Sequence, residues 1–118
     1  MSTETNVWCT TKFEGMHYWL DAPQEVTFLR TPHRHLFGVR VEIYINHYAS
    51  RGDNREVEFI LLKRKVDDYL SELCTSSHSC ERIATDLGNH LKRAYKLEVA
   101  SVSVDEDGEN GSTVRWLR

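Results

Sequence analysis

From Leu36 to His47 apolar and polar side chains alternate, with Phe37, Val39, Val41, Ile43 and Ile45 on one side and Arg40, Glu42, Tyr44 and Asn46 on the other. A two-residue period puts each set on one face of a half-buried strand. Val7–Phe13, rich in β-branched and aromatic residues and followed by Gly15, predicts an earlier strand. Between them, Asp21–Pro32 holds both prolines, Pro23 and Pro32, whose fixed φ and missing N–H groups predict a loop. Ser50–Asn54 has the composition of a turn, and Val57–Phe59 predicts a short strand edge. The period then changes. Leu62, Val66, Tyr69, Leu70 and Leu73 recur at helical spacing and predict a helix over Ile60–Leu73. A polar link, Cys74–Ser79, leads to Ile83, Leu87, Leu91 and Ala94, the apolar stripe of a second helix with Ser79 as N-cap and an end near Tyr95. Leu97–Asp105 and Ser112–Leu117 predict two more strands around a turn at Asp107–Gly111.

The order ββααββ predicts an α+β fold with one four-stranded antiparallel sheet and both helices on one face. With 118 residues, 40% apolar and 28% charged, the chain fits a single domain spanning residues 1–118. An open sheet leaves two edges that need cover, so a homo-oligomer joined through sheet edges is expected. The net charge of −3, spread over interspersed acids and bases, argues against a DNA or RNA partner. No apolar run approaches the roughly 20 residues of a spanning helix. Met1–Asn6 is polar, unlike a signal peptide, which leads us to expect a cytoplasmic protein with no membrane partner. Three cysteines, Cys9, Cys74 and Cys80, match neither a zinc ribbon nor a disulfide framework and read as reduced thiols. Arg51-Gly52-Asp53 and Asn110-Gly111-Ser112 match an integrin tripeptide and a glycosylation acceptor, and neither suits a cytoplasmic chain.

His33 and His35 stand two apart at the mouth of the best strand, so both imidazoles share a face. A ligand-accessible zinc site takes three protein donors and leaves one position open. His17 supplies the third donor if the first two strands pair as a hairpin. Arg34, between the two histidines, points to the opposite face, either as a solvated strand end or as an anion contact. His47, His78 and His90 lack metal spacing and read as surface or helix-packing residues.

At this point the sequence resembles the 6-pyruvoyl and 6-carboxy tetrahydropterin synthases, which have the tunnelling fold, or T-fold. Phe13-Glu14-Gly15-Met16-His17 looks like that family's Phe-x-x-x-His, and His33-Arg34-His35-Leu36-Phe37 like its His-Gly-His-x-Tyr/Phe. Val57-Glu58-Phe59 with Leu62-Lys63 resembles Val-x-Asp-Phe-x-x-Leu-Lys, with Glu in place of Asp. Ser79-Cys80-Glu81-Arg82-Ile83-Ala84 is similar to the family's Thr-x-Glu-Asn-x-Ala helix start, and Val104-Asp105-Glu106 to the strand whose glutamate grips the pterin. The resemblance implies a hexamer, zinc on His17, His33 and His35, and Glu106 on the amino-pyrimidine edge of the ligand. A carboxylate accepts two parallel hydrogen bonds from such an edge.

Two departures bear on chemistry. The family's catalytic cysteine precedes the histidine pair by four residues, and Leu29 stands there. Its Asp-His pair lies between the helices, where Leu70–Ser79 is too short and has no Asp-His. Cys74, Cys80 or His78 from a neighbouring subunit are the remaining substitutes. One reading is therefore a T-fold oligomer that keeps the metal and ring pocket and binds a purine-, pterin- or nucleotide-like molecule at a subunit interface without synthase chemistry. Phosphates would be met by Arg30, Arg34, Arg115 or Arg118. Small T-fold-like proteins by which phages sequester nucleotide signals, such as the Thoeris anti-defence proteins, are similar in size and plan, which would place the chain in the cytoplasm of a bacterial or phage-infected host cell. The alternatives are a diverged zinc-dependent synthase and a structural zinc domain.

Overall fold

The computed structural model describes residues 3–46, 55–73 and 78–118. Four strands, β1 (Thr5–His17), β2 (His33–Ile45), β3 (Val99–Glu106) and β4 (Asn110–Arg115), form one antiparallel sheet in sequence order. Helices α1 (Phe59–Leu70) and α2 (Cys80–Tyr95) cover one face, α1 over β1 and α2 over β3 and β4. This is the α+β architecture that the alternating and helical periods predict. No described helix is long and apolar enough to cross a membrane, which says nothing about spans made of strands.

The core lies between sheet and helices. Phe37, Val41, Ile43, Val102 and Val104 from the sheet meet Leu62, Val66, Leu87 and Leu91 from the helices, each nearly inaccessible to water. Burying one such side chain contributes about 1.5–3 kcal/mol before entropy is counted. Gly88 of α2 seats the indole of Trp116, whose ring occupies the place where a β-carbon would be. Among the described residues no α-helix covers the opposite face of the sheet. Trp8, Met16 and Leu36 are exposed there, and the Arg40 guanidinium lies 3.9 Å over the Trp8 ring.

Several boundaries differ from those that the sequence predicts. β1 runs through Gly15 to His17, because Gly15 lies in the ladder opposite His35, with the stacked rings of Phe13 and Phe37 where its side chain would be. β2 begins at His33 rather than Leu36. Val57–Phe59 is not a strand: Glu58 is the N-cap of α1, its carboxylate accepting from the N–H groups of Ile60 at 2.7 Å and Leu61 at 3.3 Å. α1 stops at Leu70, and Ser71–Leu73 closes it with turn hydrogen bonds. Ser79 caps α2, accepting from Arg82 N–H at 3.2 Å. The Asp21–Pro32 loop contains 3-10 turns over Gln24–Arg30, broken at Val26. The β3–β4 reversal is tighter than predicted, with Asp107 and Gly108 both at positive φ (58° and 74°). The turn at Ser50–Asn54, His47 and Cys74 lie outside the described residues.

Candidate metal centre

On β1 and β2 the odd-numbered residues face the helices, and the same alternation carries the core face outward to His17, His33 and His35 at the end of the hairpin. His17 and His33 are direct cross-strand partners, and His35 follows one pleat further in. The Phe37 ring supports the cluster from the core side, with its centroid 5.3 Å from that of His17 and 5.8 Å from that of His35. One imidazole nitrogen from each histidine lies within 4.8 Å of the other two. The hairpin that the sequence reading required therefore exists, and it brings the three rings together.

Their hydrogen bonds orient them. His35 Nδ1 is 2.7 Å from Asp107 Oδ2, His33 Nδ1 is 2.9 Å from the Thr31 carbonyl, and His17 Nδ1 is 3.2 Å from the His78 carbonyl. Carboxylate and carbonyl oxygens only accept, so each Nδ1 carries a proton, and in the neutral form of each ring Nε2 is the nitrogen with the lone pair. Among the described residues, Nε2 of His33 and of His35 are buried without a hydrogen-bond partner. Burial holds His17 below the ordinary imidazole value, although the His78 carbonyl and Glu106 act in the other direction. Three imidazoles grouped this closely, each held through Nδ1, could hold a zinc or similar transition-metal ion.

Asp107 belongs to this arrangement, although its sequence predicts only a turn. Its carboxylate takes His35 Nδ1–H on one oxygen and Leu36 N–H, at 2.9 Å, on the other. Those two bonds, chiefly the one from His35, hold its pKa below the usual aspartate value. The positive φ that lets Asp107 turn back is one that aspartate tolerates better than most residues.

Glu106, the last residue of β3, pairs with Phe37 across the ladder and extends into the same place. Its Oε1 is 3.3 Å from His17 Nε2 and its Oε2 is 3.5 Å from His35 Nε2. The Cys80 thiol donates to Oε1 at 3.8 Å. Burial, reinforced by the Glu106 charge, pushes the Cys80 thiol up to about 12. It is therefore a neutral thiol near pH 7 and a poor nucleophile.

Beside the rings lies a cavity of about 580 Å³ whose walls include Tyr18, Trp19, Leu29, Cys80, Glu81 and Glu106 as well as His17 and His33. Leu29 thus occupies the wall at the position where the resemblance implies a thiol. The Trp19 N–H to Leu29 carbonyl bond, 2.7 Å, pins this part of the loop.

The arginines do not join the cluster within the chain. Arg34 faces away from the histidines, as the alternation requires, and is paired with Glu14 at 2.8 Å. Arg30 donates from Nε to the Ala22 carbonyl at 2.8 Å and braces the loop. Arg115 pairs in register with Ser101, at the other end of the β3–β4 hairpin from Glu106 and Asn110, roughly 16 Å away at about 3.3 Å per residue. Arg118 pairs with Glu98 and stacks over Tyr44. Within one chain these arginines therefore make other contacts. His90 packs between Tyr69 and Tyr95, as a helix-packing residue.

No protein-family model matches the sequence, and no curated protein is significantly similar to it. Solved structures are similar over nearly the whole chain. The 6-pyruvoyl tetrahydropterin synthase of Caenorhabditis elegans superposes with a TM-score of 0.76 at 12% identity, covering 98% of this chain and 97% of that one. An uncharacterised protein of Wolinella succinogenes gives 0.72 at 14% identity, with 97% and 99% covered. The 6-pyruvoyl tetrahydropterin synthase of Plasmodium vivax gives 0.70 at 17% identity, with 96% and 98% covered. The chain therefore has the T-fold of these synthases, in a sequence far diverged from theirs.

Proposed function

We propose that this T-fold chain binds zinc through His17, His33 and His35 and holds a pterin- or purine-like heterocycle in the adjoining cavity, without carrying out the synthase reaction. The observation that carries this reading is the set of three imidazoles, each with Nδ1 committed and one nitrogen within 4.8 Å of the other two, beside a cavity large enough for a bicyclic ring. Zinc at such a centre supplies Lewis acidity toward a ligand oxygen. The chain's own residues bind and orient: Trp19 and Leu29 offer apolar cover, and Glu106 offers two acceptor oxygens to an amino-pyrimidine edge.

A free heterocycle suits the cavity better than a phosphorylated one. None of the described lining residues is Lys or Arg, and Glu81 and Glu106 would repel phosphate. Proton transfer is the missing part. The thiol position is Leu29, and the Cys80 thiol that does line the cavity stays protonated near neutral pH. Among the described residues the outer strands β1 and β4 have one partner each, so subunits would join there, and the apolar residues of the opposite face, Trp8, Met16 and Leu36, would become covered.

Native mass spectrometry of the purified protein, followed by calorimetry with neopterin and a triphosphate-release assay on dihydroneopterin triphosphate, tests the proposal. The expected result is one zinc per chain, more than one chain per particle, binding of the ring and no turnover. Robust zinc-dependent turnover would establish the diverged synthase instead. Zinc without any ring binding would leave a structural zinc domain.

A further inference from the structure

We propose that the outer surface of the two helices is a docking face for the same surface of a second copy of this chain, packed antiparallel so that the basic end of each helical layer meets the acidic end of the other. Pairing here is separate from joining through sheet edges and independent of any metal.

The two helices run in opposite directions. Tyr69, late in α1, meets His90 with ring centroids 4.8 Å apart, while Lys65, earlier in α1, places Nζ 5.2 Å from the centre of the Tyr95 ring at the end of α2. The start of α1 is therefore level with the end of α2. Residues 59–65 and 88–96 carry Lys63, Arg64, Lys65, Lys92, Arg93 and Lys96 and no acidic residue. The acids that flank them in sequence are committed elsewhere, Glu58 to the N–H groups of Ile60 and Leu61 and Glu98 to Arg118. At the other end of the layer, residues 66–72 and 80–87 carry Asp67, Asp68, Glu72, Glu81 and Asp86 against one cation, Arg82, which pairs with Asp86 at 3.7 Å. All these side chains are exposed except Lys65 and Asp86, which are half-buried. Among the described residues none of the six at the basic end makes an ion pair.

Helix stability does not explain this segregation. A helix favours acids in its first turn and bases in its last. α2 follows that rule, with Glu81 early and Lys92 and Arg93 late. α1 reverses it, having no acid in its first turn and no base in its last. Its Lys63–Asp67 and Arg64–Asp68 spacings have the weaker order for an i,i+4 pair, and Asp67 instead accepts from the Thr11 hydroxyl at 2.6 Å. The reversed order in α1 sets its cations level with those of α2, so that the layer as a whole is basic at one end and acidic at the other.

The complement of this surface is the surface itself. A two-fold axis lying in the interface at right angles to the helices sets a basic end over an acidic end twice, in an isologous pair. The net charge of −3 disfavours an external polyanion. With 16 residues α2 is about 24 Å long and two helices span roughly 20 Å, so each copy offers about 500 Å² and the pair buries about 1,000 Å², the low end for a specific interface. Ile60 and Leu61, 56% and 50% exposed at the basic end, supply apolar area within it. Exposed ion pairs contribute little singly and are screened by salt, so low salt promotes this association and high salt abolishes it.

Sedimentation velocity at about 0.01 M and about 1 M salt, where the Debye length is roughly 30 Å and 3 Å, tests the pairing. Wild type should show at least about twice the mass at low salt that it shows at high salt. Arg64→Glu/Arg93→Glu turns the basic end acidic, and Asp68→Lys/Glu72→Lys turns the acidic end basic. Neither variant alone should gain mass at low salt, whereas an equimolar mixture of the two should. Circular dichroism confirms the fold of each, and equal high-salt masses show that joining through sheet edges is intact. Zinc content should match wild type in both, which keeps the result separate from the metal centre. Equal wild-type mass at both salts would overturn the proposal, as would a mixture that stays apart. Wild type that does not self-associate but binds heparin or phosphatidylserine vesicles at low salt would also overturn it, assigning the basic end to an external polyanion or to a membrane.

Discussion

Replacing Asp107 by Asn isolates how the centre is oriented. The aspartate serves two N–H donors with two oxygens, His35 Nδ1 at 2.7 Å and Leu36 N at 2.9 Å. Asparagine has one acceptor oxygen and one donating amide. If the oxygen stays on Leu36, the amide faces His35 Nδ1, which must then accept, and the ring's proton moves to Nε2. That removes the lone pair needed for coordination. If the oxygen turns to His35, Leu36 N–H loses its acceptor at the mouth of the β3–β4 hairpin. The fold should tolerate the change, because asparagine accepts the positive φ at this position as readily as aspartate. Partners of this kind are worth roughly 10–100-fold in metal affinity. Asp107 is largely exposed, and water can replace part of what it does, so the lower half of that range is expected. Competition against a zinc-chelating dye measures the loss. Asp107→Gly, which keeps the turn but leaves His35 Nδ1 to water, should lose less than Asp107→Asn because water accepts from Nδ1–H. Wild-type zinc affinity in Asp107→Asn, with an unchanged melting curve for the metal-free protein, would refute the assignment of the His35 tautomer.

Gly88→Ala should destabilise the protein by about 1–3 kcal/mol in urea melts despite alanine's better helix propensity, because the indole of Trp116 must move; in a Trp116→Ala background the same change should stabilise it. Saturating zinc at about 100 times its Kd should add about 2.7 kcal/mol and raise the melting temperature by roughly 10 °C, and the shift should vanish in His17→Ala. Burial pushes the Cys9 thiol from its ordinary 9.0 to about 11, so between these values the unfolded chain has lost a proton that the folded one retains. Stability measured by urea titration should accordingly fall as pH rises from about 9 to 11, and less so in Cys9→Ala.

The parts of the site legible in the sequence are those that one period determines. The alternation through Phe37–Ile45, extended backward by two pleats, already sets His33 and His35 on the core face and Arg34 on the other. His17 followed once the hairpin was assumed, although Gly15 was read as the strand's end when the neighbouring phenylalanine rings hold it inside. What could not be read is the register between β2 and β3. Those strands are some seventy residues apart, their ladder slips at Glu42/Ile43, and no local pattern says that Glu106 falls opposite Phe37 or that Asp107 reaches His35. For the same reason arginines that look adjacent to the histidines in sequence, Arg30 and Arg34, turn out to brace a loop and to pair on the opposite face. Val57–Phe59 failed differently, since Glu58 has extended backbone but spends its carboxylate on the first N–H groups of α1.

The three histidines and the reactive groups around them support different conclusions. The histidines are fixed by strand pairing, the core-side support of Phe37 and three separate Nδ1 acceptors, so they are overdetermined by the fold. The groups that would move protons are not. Leu29 presents hydrocarbon to the cavity, and the Cys80 thiol beside it is held protonated by burial and by Glu106. Glu106 in turn lies against the histidines, 3.3 Å from His17 Nε2 and 3.5 Å from His35 Nε2. The described geometry thus supports the proposed binding role more directly than turnover, because the thiol beside the rings is held in its neutral form.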